Sequence, residues 1–194
     1  MSTKSSELLF AILAAGLGTR MGGIKPLAIF QNQTLLERAI KSCRDTGAGD
    51  ISVVLGYQHE KVSIVVPEGI SILSNPKYEE GIASSIRAAV NAACHQNYKS
   101  LLVLCCDQPL VTGSDLLALI SARNPDKPIT SAEYAGTFGV PAIFDESMFD
   151  QLMQLTGDRG AKGFILAHKQ RTTFFAMESA AFDVDAPEHL SLSL

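Results

Sequence analysis

The sequence predicts a doubly wound α/β domain built on a mostly parallel sheet. Three observations point there. Short apolar runs alternate with segments of helical period along most of the chain. One run, Ser100 to Cys106, is almost continuously apolar, the pattern of a central strand buried on both faces. The chain has 194 residues, of which 46% are apolar. That is enough for one full core and hardly enough for two. Residues 1–194 are therefore read as a single domain, with no internal repeat, low-complexity segment or linker.

Each element follows from local chemistry. Met1 to Glu7 is polar and is expected to be a disordered tail. Leu8 to Leu13 reads as the first buried strand, and it empties into a loop rich in glycine. Pro26 to Phe30 is a short extended piece, followed by a polar turn at Gln31 to Gln33. Thr34 with Glu37 three residues on forms a capping box, and Leu35, Leu36, Ala39, Ile40 and Cys43 recur at helical spacing. Gly47 and Gly49 end that helix. Ile51 to Leu55 is a β-branched strand, Tyr57 to Lys61 a helical turn, and Gly69 to Ser74 a strand closed by Asn75-Pro76. Gly81 precedes a helix with Ile82, Ile86, Ala89, Val90 and Ala93 on one face. After the central strand, Thr112 or Ser114 caps a helix through Leu116 to Ile120.

The second half is less regular. Ile129 to Ala132 and Thr137 to Phe144 read as strands around a turn at Tyr134-Ala135-Gly136. Gly139 and Pro141 interrupt the second, which suggests an edge or bulge near a ligand. A helix through Phe149, Leu152, Met153 and Leu155 stops at Gly157. Asp158 is placed to cap a further helix, Gly160 to His168. Arg171 to Phe175 and Phe182 to Val184 read as the last strands, and Pro187 starts a terminal helical turn.

Composition narrows the function. The net charge is −4 with the signs interspersed and no basic run, so a nucleic-acid polymer is not an expected partner. No apolar stretch approaches a membrane span and no signal-peptide pattern is present, so no membrane partner is expected and the location is read as cytoplasmic. Cys43, Cys94, Cys105 and Cys106 lack metal-ligand spacing and are read as reduced thiols. The four histidines share no motif and are assigned to surface or core.

The loop from Leu13 to Lys25, LAAGLGTRMGGIK, carries the chemistry. Its glycines keep side chains away from the backbone N–H groups, and Arg20 and Lys25 bring two cations into one turn. That combination suits phosphate. It does not fit the two common phosphate fingerprints. Met21 stands where a GxGxxG loop needs its third glycine, and Ile24 follows Gly23 where a Walker loop needs lysine. In a doubly wound sheet ligands bind at the carboxyl ends of strands. This loop and Asp107 both follow apolar strands, so both are expected on that edge.

The extended string LAAGLGTRMGGIKPL resembles the LAAGxSxRMGxxK pattern of the MobA-like NTP transferases, and its Ala-Ala-Gly form resembles the molybdenum cofactor (molybdopterin) cytidylyltransferase branch. Further matches follow in order: Asn75 to Gly81 with Ser84 and Ser85, Cys106-Asp-Gln-Pro109, Gly139 to Phe144, Gly157-Asp-Arg-Gly-Ala161 and Asp183 to Glu188. The chain departs from the pattern where Gly18 replaces serine, Val140 replaces a common histidine, and Ala186 replaces threonine with His189 after Glu188. The resemblance implies a three-layer α/β/α Rossmann-like nucleotidyltransferase fold. It also implies Mg²⁺-dependent transfer of CMP from CTP to the phosphate of molybdopterin or its molybdenum form, with release of pyrophosphate.

On that reading Arg20, Lys25 and Asp107 are the expected catalytic residues. The nucleotide would be held by Leu13, Ala14, Ala15, Gly16, Gly18, Thr19, Arg20, Met21, Gly22 and Lys25, with Asn75, Gly81 and Ser85 near base and ribose. Asp107 and Asp185 would hold Mg²⁺. Asp185 is preferred over Asp183 because the pair is expected on opposite faces of a strand. Gln108, Gly139, Pro141, Asp158 and Asp183 would face the acceptor. Plainer roles compete: Asp107 as a turn residue before Pro109, Asp158 as an ordinary helix cap. Rival functions are an NTP transferase acting on a sugar or alditol phosphate, a GTP-using molybdenum cofactor guanylyltransferase, and a non-catalytic nucleotide- or cofactor-binding chaperone module. A molybdenum hydroxylase or its chaperone is the expected protein partner. A phosphate acceptor is already ionised, which suits the absence of a Ser-His-Asp set.

Overall fold

The computed structural model describes residues 6–191. Its centre is a seven-stranded sheet. The first strand, β1 (Leu8–Ala14), is buried at every residue. It pairs in parallel with β4 (Asp50–Leu55) on one side and with β6 (Ser100–Cys105) on the other. Beyond β4 lies β5 (Ser71–Ser74), also parallel. Beyond β6 lie β8 (Thr137–Asp145), β7 (Ile129–Tyr134) and β9 (Thr172–Ala176), in that order. Only β8 runs against its neighbours. Strand order therefore departs in opposite directions on either side of β1. The carboxyl ends of β1 and β6 form a switch point of the kind that receives ligands.

Alternation along β1 splits the core into two layers. Leu9, Ala11 and Leu13 join the buried face of α3 (Ile82–His95), together with α5 (Phe149–Leu152) and α6 (Ala161–Ala167). Leu8, Phe10, Ile12 and Ala14 pack under α1 (Leu35–Thr46) and α4 (Gly113–Ser121). Phe10 and Ile12 are fully buried. Each such side chain contributes roughly 1.5–3 kcal/mol of transfer free energy, so truncating either would open a cavity at the centre of the sheet.

Both helices of the second layer begin as their sequences require. Thr34 and Glu37 form a reciprocal capping box on α1, and Thr112 with Asp115 forms another on α4. A loss of either cap costs about 1 kcal/mol. The polar turn after residue 30 is a hairpin between β2 (Ile29–Phe30) and β3 (Gln33–Thr34). Gln31 and Asn32 have φ of 49° and 67° there. Ala135 and Gly136 repeat the device between β7 and β8, with φ of 47° and 71°. Positive φ at both loop residues matches the right-handed twist of the flanking strands.

Several boundaries differ from expectation. The turn after Gly56 is a short helix, α2 (His59–Ser63). The helix expected through Leu155 is only the four residues of α5, because Met153 to Leu155 turn toward Gly157. The α6 helix is capped by Gly160, and Asp158 makes no cap. Phe182 to Val184 is not a strand: it has no ladder partner, and short 3₁₀ turns at Glu178–Ala181 and Pro187–Ser191 bracket it. Of the polar tail, residues 1–5 lie outside the described residues. Ser6 donates to Ala48 O, and Glu7 O accepts from Lys99 and Ser100, so these two belong to the fold.

Candidate active site

A cavity of about 470 Å³ opens at the carboxyl ends of β1 and β6. One wall is the loop after β1. Gly18 and Gly22, at φ of 59° and 62°, bracket a single 3₁₀ turn at Thr19–Met21, and Met21 N–H closes it on Gly18 O at 2.9 Å. Residue 18 is glycine where the motif it resembles has serine. Its left-handed backbone favours glycine, and an added Cβ there would lie 3.1 Å from Lys25 Cβ. Met21 turns its side chain inward, with Phe30, Leu35 and Val184.

The loop places its two cations differently. The Arg20 side chain is 75% exposed, and that of Lys25 only 16%. Lys25 Nζ donates to Asp107 Oδ2 at 2.5 Å and to Asp185 Oδ1 at 2.9 Å. Arg20 reaches the other oxygen of Asp185 at 3.3 Å. Four residues from three remote segments thus form one alternating-charge cluster on the cavity floor. Burial alone would lower the Lys25 pKa. The charge of Asp107 and hydrogen bonds to both carboxylates outweigh burial and raise it, so the ammonium stays charged at neutral pH. The Lys25 hydrogen bond, reinforced by the Lys25 and Arg20 charges, holds the Asp185 carboxyl below its ordinary range.

Asp185 owes its position to backbone contacts. Val184 N–H donates to Asp107 O at 2.9 Å, which ties the two carboxylate-bearing segments together. His189 Nδ1 lies 3.2 Å from Asp185 N and 3.0 Å from Asp183 O, bracing the turn. Sequence reasoning assigned His189 to surface or core, and its spacing of four from Asp185 was the available signal of this bracing role. The expectation that Asp183 and Asp185 face opposite ways fails on geometry. Residues two apart share a face of an extended segment, and the fully buried Val184 is the one turned inward. The Asp183 carboxyl is pushed up to about 6, by burial first and then by the charges of Asp107 and Asp185.

The opposite wall is made by backbone approach. Asn75 is 3% exposed. Its amide donates to Ser84 Oγ at 2.8 Å and Ser85 Oγ at 3.0 Å, and its Oδ1 accepts from Lys77 N–H. The Asn75 backbone N–H also bonds Leu55 O, so one residue, through backbone and side chain together, fastens the end of β5 to β4 and to the start of α3. Gly81 has φ of 101°, and a Cβ there would come within 2.6 Å of Gly157. Ala83 N–H bonds Gly157 O across the same contact. The 157–158 turn therefore seats on Gly81 and closes this side.

Most expected nucleotide residues line the cavity: Leu13 to Gly16, Gly18 to Met21, Lys25, Gly81 and Ser85. Gly22 lines a separate shallow depression with Tyr57, Gln58 and Lys61. Asn75 lies behind the wall, with its polar atoms spent on the scaffold. Of the expected acceptor group, only Asp158 lines the cavity. Gln108 is buried and donates to Val140 O and Ala180 O as an internal strut. Gly139 and Pro141 sit in β8, where its register slips against β7, and Gly139 O accepts from Ser131. Sequence reasoning did not single out Tyr78, Glu79, Ile82 or Cys105 for the site, yet all four line the cavity. All four cysteines are free thiols, and burial raises Cys105 well above the ordinary thiol value. Among the described residues no helix is long and apolar enough to cross a membrane.

Comparison with known proteins places the fold and the family. The model of the MobA-like NTP transferase domain matches residues 10–172. The bifunctional protein GlmU of Campylobacter concisus is 33% identical over 132 residues, 66% of this chain. GlmU of Sorangium cellulosum is 24% identical across the whole chain. The chain spans 29% and 40% of the lengths of these two relatives. The crystal structure of Rv0371c from Mycobacterium tuberculosis superposes with a TM-score of 0.80 at 25% identity, covering 95% of this chain and 96% of that one. Molybdopterin-guanine dinucleotide biosynthesis protein A from Archaeoglobus fulgidus shares the fold, with a TM-score of 0.70, 18% identity and 94% of each chain covered.

Proposed function

The chain belongs to the MobA-like NTP transferase family and is a nucleotidyltransferase domain; from that premise we propose that it transfers CMP from CTP to the phosphate of molybdopterin or its molybdenum form. The observation that carries the proposal is the cluster of Lys25, Arg20, Asp107 and Asp185 on the floor of the cavity. In the reaction an acceptor phosphate oxygen attacks the α-phosphorus, a P–O bond forms, and the bond to the β-phosphate breaks to release pyrophosphate. The protein's work is positioning and charge stabilisation. The N–H groups of the glycine loop would face the triphosphate, with Arg20 and Lys25 neutralising it. The first turn of α3, at Gly81 to Ser85, places a helix N-terminus beside the nucleoside end. Asp158 would meet the acceptor across Gly81.

Members of the family generally use a divalent metal, and an Rv0371c structure is a manganese complex. The residues here fit such an ion. Two carboxylate oxygens already grip a cation, the Lys25 ammonium, and among the described residues no cluster of three or more acidic, His or Cys groups competes. Mg²⁺ typically takes one or two carboxylates and completes its shell with substrate phosphates and water. Asp107 and Asp185 would hold it, and it would supply positive charge to the phosphate oxygens.

Cytidine as the base is supported by the Ala14-Ala15-Gly16 form of the loop. Both alanines line the cavity while only 3% exposed. The molybdopterin acceptor is supported by the likeness to the Archaeoglobus protein in fold and by motif order. A molybdenum hydroxylase or its chaperone would then receive the product. A sugar-phosphate acceptor is the second reading, favoured by the GlmU relatives. Pyrophosphate release with CTP, GTP, UTP and ATP, each against molybdopterin and sugar phosphates, decides among them. The expected result is turnover with CTP and molybdopterin. Turnover with GTP overturns the base, and turnover with a sugar phosphate alone overturns the acceptor.

A further inference from the structure

We propose that Lys25 is a placeholder for the divalent metal: ammonium and metal exclude one another from the two carboxylates, and the nucleotide's phosphates decide which is seated. The inference rests on reading Asp107 and Asp185 as the metal carboxylates. Lys25 Nζ bridges one oxygen of each, at 2.5 Å and 2.9 Å. A Mg²⁺ ion on the same oxygens needs bonds of about 2.0–2.1 Å. Its centre would fall on or beside the nitrogen, where two cations repel strongly in a partly dehydrated site. One arrangement must give way to the other.

A metal arriving alone is at a disadvantage. It must expel a hydrogen-bonded ammonium whose side chain is only 16% exposed. It then gains two carboxylates and nothing more from the protein, since no larger cluster of metal-ligating groups exists among the described residues. A nucleotide changes both sides of the exchange. Its phosphates offer Lys25 a new anionic partner and offer the metal further oxygens. The movement asked of Lys25 is small, because a lysine carries its charge on a flexible four-carbon stem. Its backbone sits in the 3₁₀ turn Lys25–Leu27, followed by the fixed φ of the buried Pro26, so the head swings while the loop stays. Arg20 needs no rearrangement, being on the open side of Asp185 already. The cluster is thus a counter-ion exchange in which Lys25 first neutralises the carboxylates and then the triphosphate.

The test is Mn²⁺ binding to the whole chain, read from the spin-resonance signal of the free ion. It is run alone and with the α,β-methylene analogues of CTP and of GTP, so that the base assignment does not enter. Wild type is expected to bind Mn²⁺ weakly alone and at least about tenfold more tightly with a nucleotide analogue. Lys25→Met is expected to bind Mn²⁺ alone at least about tenfold more tightly than wild type, with a smaller gain from the analogue. Lys25→Arg keeps a cation and is expected to stay as weak as wild type. A Lys25→Met protein that binds the metal alone no better than wild type overturns the exchange. So does a wild type that binds Mn²⁺ equally with and without either analogue, a result that needs no variant to fold. Asp107→Asn addresses the premise separately. Unchanged Mn²⁺ affinity in that variant with the analogue removes the carboxylate assignment itself, whereas lost affinity there with a flat Lys25→Met response removes only the exchange.

Discussion

The two walls of the cavity are built by opposite means. The wall after β1 works through side-chain charge: Arg20 and Lys25 reach across to carboxylates brought in by two other segments. The wall at the start of α3 works through the absence or burial of side chains. Gly81 lets the 157–158 turn press against the backbone, and Asn75 is consumed in holding Ser84 and Ser85. The first wall carries the charged groups of the proposed chemistry. The second is tuned for shape, and its residues matter to the fold before they matter to a ligand.

That contrast can be broken at four points. Asp107→Ala should reduce pyrophosphate release by roughly 10²–10³-fold, because it removes one of the two carboxylates proposed to hold the metal that neutralises the reacting phosphates. The melting temperature should hardly move, since Lys25 keeps Asp185 as partner. A large fall in melting temperature would mean the first wall is structural after all. Gly81→Ala should do the reverse, costing on the order of 2–3 kcal/mol in denaturant unfolding through a positive φ and a backbone clash. A stable Gly81→Ala protein would remove the close approach from the account. Asn75→Ala leaves Ser84 and Ser85 short of a donor and should cost about 1–2 kcal/mol, with nucleotide affinity lost only as far as the wall loosens. If affinity drops while stability holds, Asn75 touches the nucleotide directly.

The smallest effect is expected at Asp183, and it depends on pH. Its pKa is raised from 3.8 to about 6 in the fold, so the folded protein holds that proton more tightly than the unfolded chain. Stability then falls as pH rises from about 4 to 6, and the penalty is complete above that range. Asp183→Asn should therefore stabilise the protein at pH 7–8, and the difference from wild type should vanish below pH 4. Asp183 is exposed along part of its surface. Solvent screening holds the expected gain to about 1 kcal/mol or less. Paired melting curves across pH 4–8 check it, and a difference that grows toward pH 4 would reverse the sign of the argument.

What was legible in the residues follows the same division. The parallel strands β1 and β6 announce themselves because burial on both faces forces near-continuous apolar runs, and β4 does so through its β-branched residues. The capping box at Thr34 is local, and so is the glycine loop; at α4 the sequence left the cap open between Thr112 and Ser114, and the structure selects Thr112. Side chains that must meet a charged ligand recur in a short string, and those strings located the cavity floor. The pairing of β8 against β6 was not legible, because it joins segments with no local signal for direction. Neither was the fate of Phe182 to Val184: its apolar spacing serves the small cluster around Met21 and Phe30 rather than a sheet edge. Gln108 was misleading for a related reason. A polar residue beside a carboxylate proposed for the site reads as a ligand contact, yet its amide braces two backbone carbonyls in the interior.

The bond from Val184 N–H to Asp107 O has a consequence for how the enzyme comes into being. Lys25 and Asp185 stand 160 residues apart, and the second carboxylate arrives only after every strand of the sheet has been made. A chain emerging from the ribosome can close its sheet and shape its cavity with β9 while still lacking half of the carboxylate pair. Such an intermediate would leave Lys25 with Asp107 alone as its carboxylate partner. A chain cut between β9 and Val184 would keep every strand of the sheet and lack Asp185, one of the two carboxylates of the proposed metal pair.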